Sequence, residues 1–375
     1  ASTSTEELLE KDEDFPSLDE ALNEMRDGFD ELKDGSIELD DGAHELDDGA
    51  QELDDGAQEL DDGAHELDDG AKELDDGAKD LDDGAQELKD GAFDLDDGAG
   101  KLKDGAAALN GGLTVLNGKL AALHDVTPSQ IFIAGGAASV LSQIADVFLQ
   151  EGTECIIPSP AYPPYYFWAY RNCTAIVDVP CNQENQTLDT EAVLAAVTPR
   201  TRLIFLCNPN NPTSTAISRD SLVSLISRLP RDVIAVVDEA YVDFADDPAG
   251  LTMIPCLPQF PNMIVVRTFS KLYGMASARL GYSVACQEIT DYLNKAVASR
   301  GINCFGVDGG IAALDDVAFR EKTIENNRVE RQYLTEALTG LGFQVYHSQS
   351  NFIWVDFGRP ASAVHDDLLP YGIII

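Results

Sequence analysis

Lys271 stands in "RTFSKLYGMASARLGY" (residues 267–282), behind Thr268 and Ser270 and ahead of Arg279. An amine can condense with a carbonyl, and a guanidinium beside hydroxyls can grip an anion through charge-assisted hydrogen bonds. Three other short stretches offer groups that could complete a site. "GGAAS" (135–139) presents small residues at Gly136, Ala137 and Ala138, "NPNNPT" (208–213) carries Asn211, and "DEAY" (238–241) carries Asp238 and Tyr241. Tyr162, in "SPAY", adds an aromatic face. Each stretch has a plainer reading taken alone: a turn, loop punctuation, a helix cap, a solvated charge or a core aromatic.

The elements that precede these stretches decide between the readings. Seven short apolar runs lie at 131–134, 154–158, 174–179, 202–207, 233–237, 263–266 and 281–285, separated by helix-like segments. The runs do not alternate polar with apolar, so they predict strands buried on both faces of a mostly parallel sheet. That is an α/β, three-layer architecture with helices on either side. Ligands in such sheets gather outside the carboxyl ends of the strands. Small, amide, acid and lysine groups each follow one of these runs. Together they suit a ligand bearing an aldehyde, a pyridine nitrogen, a phenolic oxygen and a phosphate.

Charge divides the chain differently. Residues 1–104 hold 40 acidic against 8 basic side chains, a net of -32, while the remainder nets -10 from 27 and 17. A total of -42 argues against nucleic acid and anionic membrane partners, both of which select clustered Lys and Arg. No apolar run reaches the roughly 18 residues that span a bilayer, and "ASTSTEELLEKDED" does not read as a secretory signal. The seven cysteines show no CxxC pair or metal-ligand spacing, so they are expected reduced and mostly buried, in a cytoplasmic setting, with no metal.

From Asp27 to about 124 the sequence runs in sevens of the type "DGAHELD". Leucine recurs every seventh residue with a small residue, usually Ala, three before it, which is an a/d seam. Glycine in nearly every heptad costs about 0.8 to 1 kcal/mol of helix propensity each, and the crowded carboxylates repel. The expectation is an acidic heptad-repeat helix or a partly disordered segment, with an oligomerising coil or a cation-binding array as alternatives. Three segments are therefore drawn: 1–117 the repeat, 118–300 the ligand-binding domain, and 301–375 a partial small domain.

"NPNNPT", "VVDEAY" and "FSKLYGMASARLGY", in this order, resemble the signature of fold-type I pyridoxal-phosphate aminotransferases, and residues 118–375 are similar to the histidinol-phosphate aminotransferase family. "FLQEGTECIIPSPAYPPY", "INCFGVDGGIAALDD" and "LTGLGFQVYHSQSNFIWVDFG" extend the likeness. The resemblance implies pyridoxal 5'-phosphate as cofactor, with Lys271 as the Schiff-base lysine and proton shuttle, expected in a buried setting. Asp238 would pair with the pyridine nitrogen, Asn211 and Tyr241 with the phenolic oxygen, and Tyr162 would stack on the ring. Thr268, Ser270, Arg279 and the backbone at Gly136, Ala137 and Ala138 would hold the phosphate. It further implies an amino donor, a 2-oxo acid acceptor and a homodimer.

Departures accompany the likeness. Ser214 stands where the family usually has Gly, Ala137 and Ala138 replace a Ser-Asp pair, the acidic repeat takes the place of the family's N-terminal arm, and "YGIII" falls where the family continues to a carboxylate-clamping arginine. Three functional readings follow: transamination of the histidinol-phosphate type, another fold-type I reaction such as threonine-phosphate decarboxylation, or a non-catalytic assembly protein using the repeat.

Overall fold

The computed structural model describes residues 67–296 and 300–375, together with Gly42, Leu46, Gly49, Ala50, Gln51 and Leu53. The rest of the repeat before residue 67 lies outside the described residues. The chain divides into two compact units, residues 1–98 and 99–375.

Helix α1 (Leu67–His124) carries the repeat, and it runs on past the boundary drawn at residue 117. Among its acidic heptads Leu81, Leu88 and Leu95 are each at least 76% exposed, so this seam covers nothing among the described residues. The character changes where "AAALNGGLTVLNGKLAAL" thins the carboxylates. Leu116 and Leu120 there are fully buried, and Leu109 and Leu113 pack beside them. Burying side chains of this size contributes about 1.5 to 3 kcal/mol each, which offsets the poor propensity of the glycines.

The second unit is built on seven strands. In chain order come β1 (Ile131–Ala134), α2 (Ala137–Phe148), β2 (Glu154–Ser159), α3 (Pro164–Arg171), β3 (Ala175–Pro180), α4 (Thr190–Ala195) and β4 (Thr201–Cys207). They continue with α5 (Arg219–Ser227), β5 (Ile234–Asp238), β6 (Met263–Thr268), β7 (Gly281–Ala285) and α6 (Gln287–Ala296). All seven expected strands are present, and the sheet order is β1-β7-β6-β5-β4-β2-β3. The pairings β3–β2, β2–β4, β4–β5 and β5–β6 are parallel, while β7 is antiparallel to both its neighbours.

Burial on both faces explains the unbroken apolar runs. In β4, Leu203 and Phe205 face one core cluster with α2, α3 and α6, whereas Ile204 and Leu206 face the other with α1 and α5. In β6, Ile264 and Val266 divide from Met263 and Val265 in the same way. The result is a three-layer mixed sheet, mostly parallel. Caps fix where some helices begin: Asp189 accepts from the Glu191 and Ala192 N–H groups at α4, and Ser218 from Ser221 N–H at α5.

Beyond it lie α7 (Cys304–Asp315), α8 (Val317–Gly340), the two-stranded antiparallel pair β8 (Gln344–Val345) and β9 (Val355–Asp356), and α9 (Ala361–Leu368). Cysteine burial departs from expectation: Cys155, Cys181 and Cys256 are buried, Cys207 and Cys286 half-buried, and Cys173 and Cys304 exposed. No described helix is long and apolar enough to cross a membrane.

Candidate active site

Parallel strands deliver their last residues to one rim, and three of those residues meet there. Cys207 ends β4, Asp238 ends β5 and Thr268 ends β6. With them a cavity of about 280 Å³ is lined by Ala137 and Ala138 of α2, and by Tyr162, Asn211 and Tyr241 from loops. Ser270, Lys271 and Arg279, from the segment joining β6 to β7, close the set. Ten of the eleven residues singled out in the sequence thus share one cavity. The eleventh, Gly136, is the N-cap of α2.

Asp238 is 4% exposed. Burial pushes its carboxyl above the ordinary value, opposed by hydrogen bonds from Tyr165 Oη and Ala240 N–H and by the charge on Lys271. Its Oδ2 accepts from Tyr165 at 2.6 Å and its Oδ1 from Ala240 N–H at 3.1 Å. Tyr162 and Tyr241 are both pushed up, chiefly by burial, so both phenols stay protonated. Asn211 Nδ2 donates to Tyr241 Oη at 3.2 Å, and Lys271 Nζ lies 5.1 Å from the centre of the Tyr241 ring.

Lys271 corrects one expectation: it is exposed rather than buried, as is Arg279. Both lie in the connection between β6 and β7, at the rim of the sheet, and no described element covers them.

The turn into α2 is shaped for close approach. Gly136 has φ +96°, and a Cβ there would meet Arg279 Nη2 at 2.4 Å. Gly281 lies so near that its own Cβ would meet Ala137 N at 2.2 Å. No side chain caps α2, and the Arg279 guanidinium stands beside its N-cap residue Gly136. Backbone donors at a helix N-terminus with an adjacent guanidinium form an anion site. Arg279 Nη1 donates to Ala276 O at 2.9 Å and Nη2 to Gly135 O at 3.3 Å, which fixes the fork in place.

The residue set fits pyridoxal 5'-phosphate: a buried carboxylate without a cationic hydrogen-bond partner among the described residues, protonated phenols, an amine and an anion turn surround one cavity. Sequence reasoning missed Tyr165 and Cys207. Cys207 is visible in hindsight as the residue closing the fourth run, but Tyr165 has no such positional signal.

A mixed seven-stranded sheet flanked by helices, with these residues at one rim, defines a fold-type I pyridoxal-phosphate transferase. The chain belongs to the class I and II aminotransferases, a family matched over residues 71–375; it is a pyridoxal-phosphate-dependent aminotransferase. Histidinol-phosphate aminotransferase 2 of Methylococcus capsulatus is 38% identical over 254 residues, 67% of this chain and 68% of that one. The crystal structure of histidinol-phosphate aminotransferase from Sinorhizobium meliloti in complex with pyridoxal-5'-phosphate superposes with a TM-score of 0.66. Identity there is 30%, covering 70% of this chain and 72% of that one. Thermus thermophilus aspartate aminotransferase with maleate shares the fold, at TM-score 0.63 and 24% identity.

Proposed function

We propose that this aminotransferase acts in the histidinol-phosphate manner, moving an amino group between a phosphate-bearing amino compound and a 2-oxo acid such as 2-oxoglutarate. One observation carries the reading: the buried Asp238 carboxylate and the Lys271 amine line the same cavity beside the uncapped start of α2. The names and identities of the relatives support the substrate class.

Bound pyridoxal phosphate supplies an aldehyde for the amino group and a ring that draws off the electron pair freed at the substrate Cα. Asp238 holds a proton at the pyridine nitrogen, the arrangement in which a desolvated carboxylate gains most from a cation. Asn211 and Tyr241 bind the phenolic oxygen, and Tyr162 packs on the ring face. Thr268, Ser270, Arg279 and the backbone at Gly136, Ala137 and Ala138 hold the phosphate. Lys271, whose amine lines the cavity, would hold the cofactor through its aldehyde and would serve as the base that moves the proton at the substrate Cα.

The segment boundaries at 117 and 300, a homodimer and a cytoplasmic setting belong to the same reading. All seven cysteines are free, which supports a reducing compartment. Phe305, Tyr170 and Phe167, at 82%, 78% and 63% exposed, supply apolar surface for a partner subunit.

The test is amino transfer from histidinol phosphate to 2-oxoglutarate by the purified chain, with Lys271→Ala as control. We expect transfer, and a visible cofactor band that Lys271→Ala abolishes. A chain that binds no cofactor refutes the reading. Release of carbon dioxide without amino transfer would identify a decarboxylase instead.

A further inference from the structure

We propose that Tyr165 is a positioning residue for the cofactor's pyridine nitrogen, acting through Asp238. This rests on the function proposed above. Tyr165 is 1% exposed and does not line the cofactor cavity, so it cannot act by contact. Its hydroxyl instead donates to Asp238 Oδ2 at 2.6 Å, while Ala240 N–H donates to Oδ1 at 3.1 Å. Held on both oxygens, the carboxylate cannot rotate without breaking two bonds, and it keeps further lone pairs free for a ligand.

The ring that carries this hydroxyl is itself fixed. Tyr165 stacks on Phe205 at 4.3 Å and 5° between planes, meets Trp168 at 6.1 Å, and stands edge-on to Tyr162 at 5.5 Å. Phe205 lies in the middle of β4 and Tyr165 in the first turn of α3. The packing of α3 on the sheet therefore sets where the Asp238 carboxylate points. A hydrogen bond from a buried phenol to a buried carboxylate favours the charged form of the acid. Deleting the hydroxyl leaves that charge less satisfied and the carboxylate more basic, so the proton shared with the ring nitrogen would shift toward Asp238.

The plainer account is that Tyr165 is a core aromatic whose hydroxyl happens to find a partner. A double-mutant cycle separates the two. Pyridoxal phosphate affinity is measured by fluorescence titration for the full chain, Tyr165→Phe, Asp238→Asn and the double variant. The nitrogen resonance of cofactor labelled with nitrogen-15 at the pyridine position is recorded for each. Tyr165→Phe keeps the ring stack; it is expected to weaken affinity about tenfold in the wild-type background, as for loss of a hydrogen bond to a charged group. It should move the resonance toward that of an unprotonated pyridine, and leave both readouts unchanged in the Asp238→Asn background.

Equal losses in the two backgrounds, or an unmoved resonance, overturn the proposal while leaving the proposed function standing. Absence of cofactor binding by wild type overturns both. Should Tyr165→Phe fail to fold, 3-fluorotyrosine placed at 165 keeps ring and hydroxyl and strengthens the donor. The resonance must then move in the opposite direction, and a stationary signal refutes the link.

Discussion

Ser214 occupies a place its side chain does not suit. Its φ is +59°, it is fully buried, and its Oγ has no hydrogen-bond partner among the described residues. The backbone is well tied: Ser214 N–H donates to Asn210 O at 2.8 Å and Gln349 N–H to Ser214 O at 2.7 Å. Ser214→Gly keeps those bonds and removes both liabilities. The left-handed conformation costs an L-residue about 1 to 2 kcal/mol, and an unpaired buried hydroxyl about 1 to 3 kcal/mol. Against this, glycine loses about 0.5 to 1 kcal/mol of extra chain entropy, and the lost packing of one methylene is worth about 0.8 kcal/mol. Mid-range values leave about 2 kcal/mol in favour of glycine, or a thermal midpoint about 4 °C higher for a unit of this size. Ser214→Ala is the internal control. It discards the hydroxyl but keeps the strained Cβ, loses no methylene and carries no glycine entropy, so the same values give it a gain of about 2 kcal/mol, level with glycine. An unchanged or lower midpoint for Ser214→Gly, or one about 3 °C below that of Ser214→Ala, as glycine's entropy and the lost methylene alone would give, refutes the assignment of strain.

Two further outcomes are expected. Arg279→Ala removes the guanidinium that faces the start of α2 and should weaken cofactor affinity at least about tenfold; equilibrium titration checks this, and unchanged affinity would place the phosphate elsewhere. Burial, with a smaller push from Arg267, lowers His124 to about 3 from 6.5, and its Nε2 lies 2.7 Å from Tyr282 Oη. Its contribution is complete above pH 6.5 and is lost as pH falls toward 3, because the unfolded chain takes up a proton that the fold refuses. The loss is up to about 1.4 kcal/mol per pH unit. Urea unfolding of wild type and His124→Gln at pH 7 and pH 5 should show a flatter dependence for the variant; parallel curves would argue against a neutral buried ring.

The sheet was legible because it is buried on both faces. Seven apolar runs could hardly be anything but strands, and their ends named the rim on which Asp238, Thr268 and Lys271 converge. The site residues were legible for the same reason: each follows a strand in sequence, so the topology delivers it. Exposure was not legible. Whether Lys271 is covered depends on what stands over the rim, and apolar neighbours in sequence such as Leu272 turn inward, at 4% exposed, without carrying the lysine with them. The end of α1 was legible, since the heptads run to about 124 and the helix ends at His124; hidden was the burial of Leu116 and Leu120, a tertiary fact that outweighs the glycines local propensity counts against the helix.

Tyr165 marks where sequence reasoning stops and geometry begins. It lies 73 residues from Asp238, on a helix rather than at a strand end, so neither periodicity nor motif order ties the two together. What joins them is the angle at which α3 settles on β4, fixed by the stack of Tyr165 on Phe205 and by Trp168 beside it. The strand that presents Asp238 is specified locally by a short apolar run, but the direction in which its carboxylate points is specified by packing across the sheet. In this enzyme the chemical identity of the acid is written in one loop and its aim in the hydrophobic core.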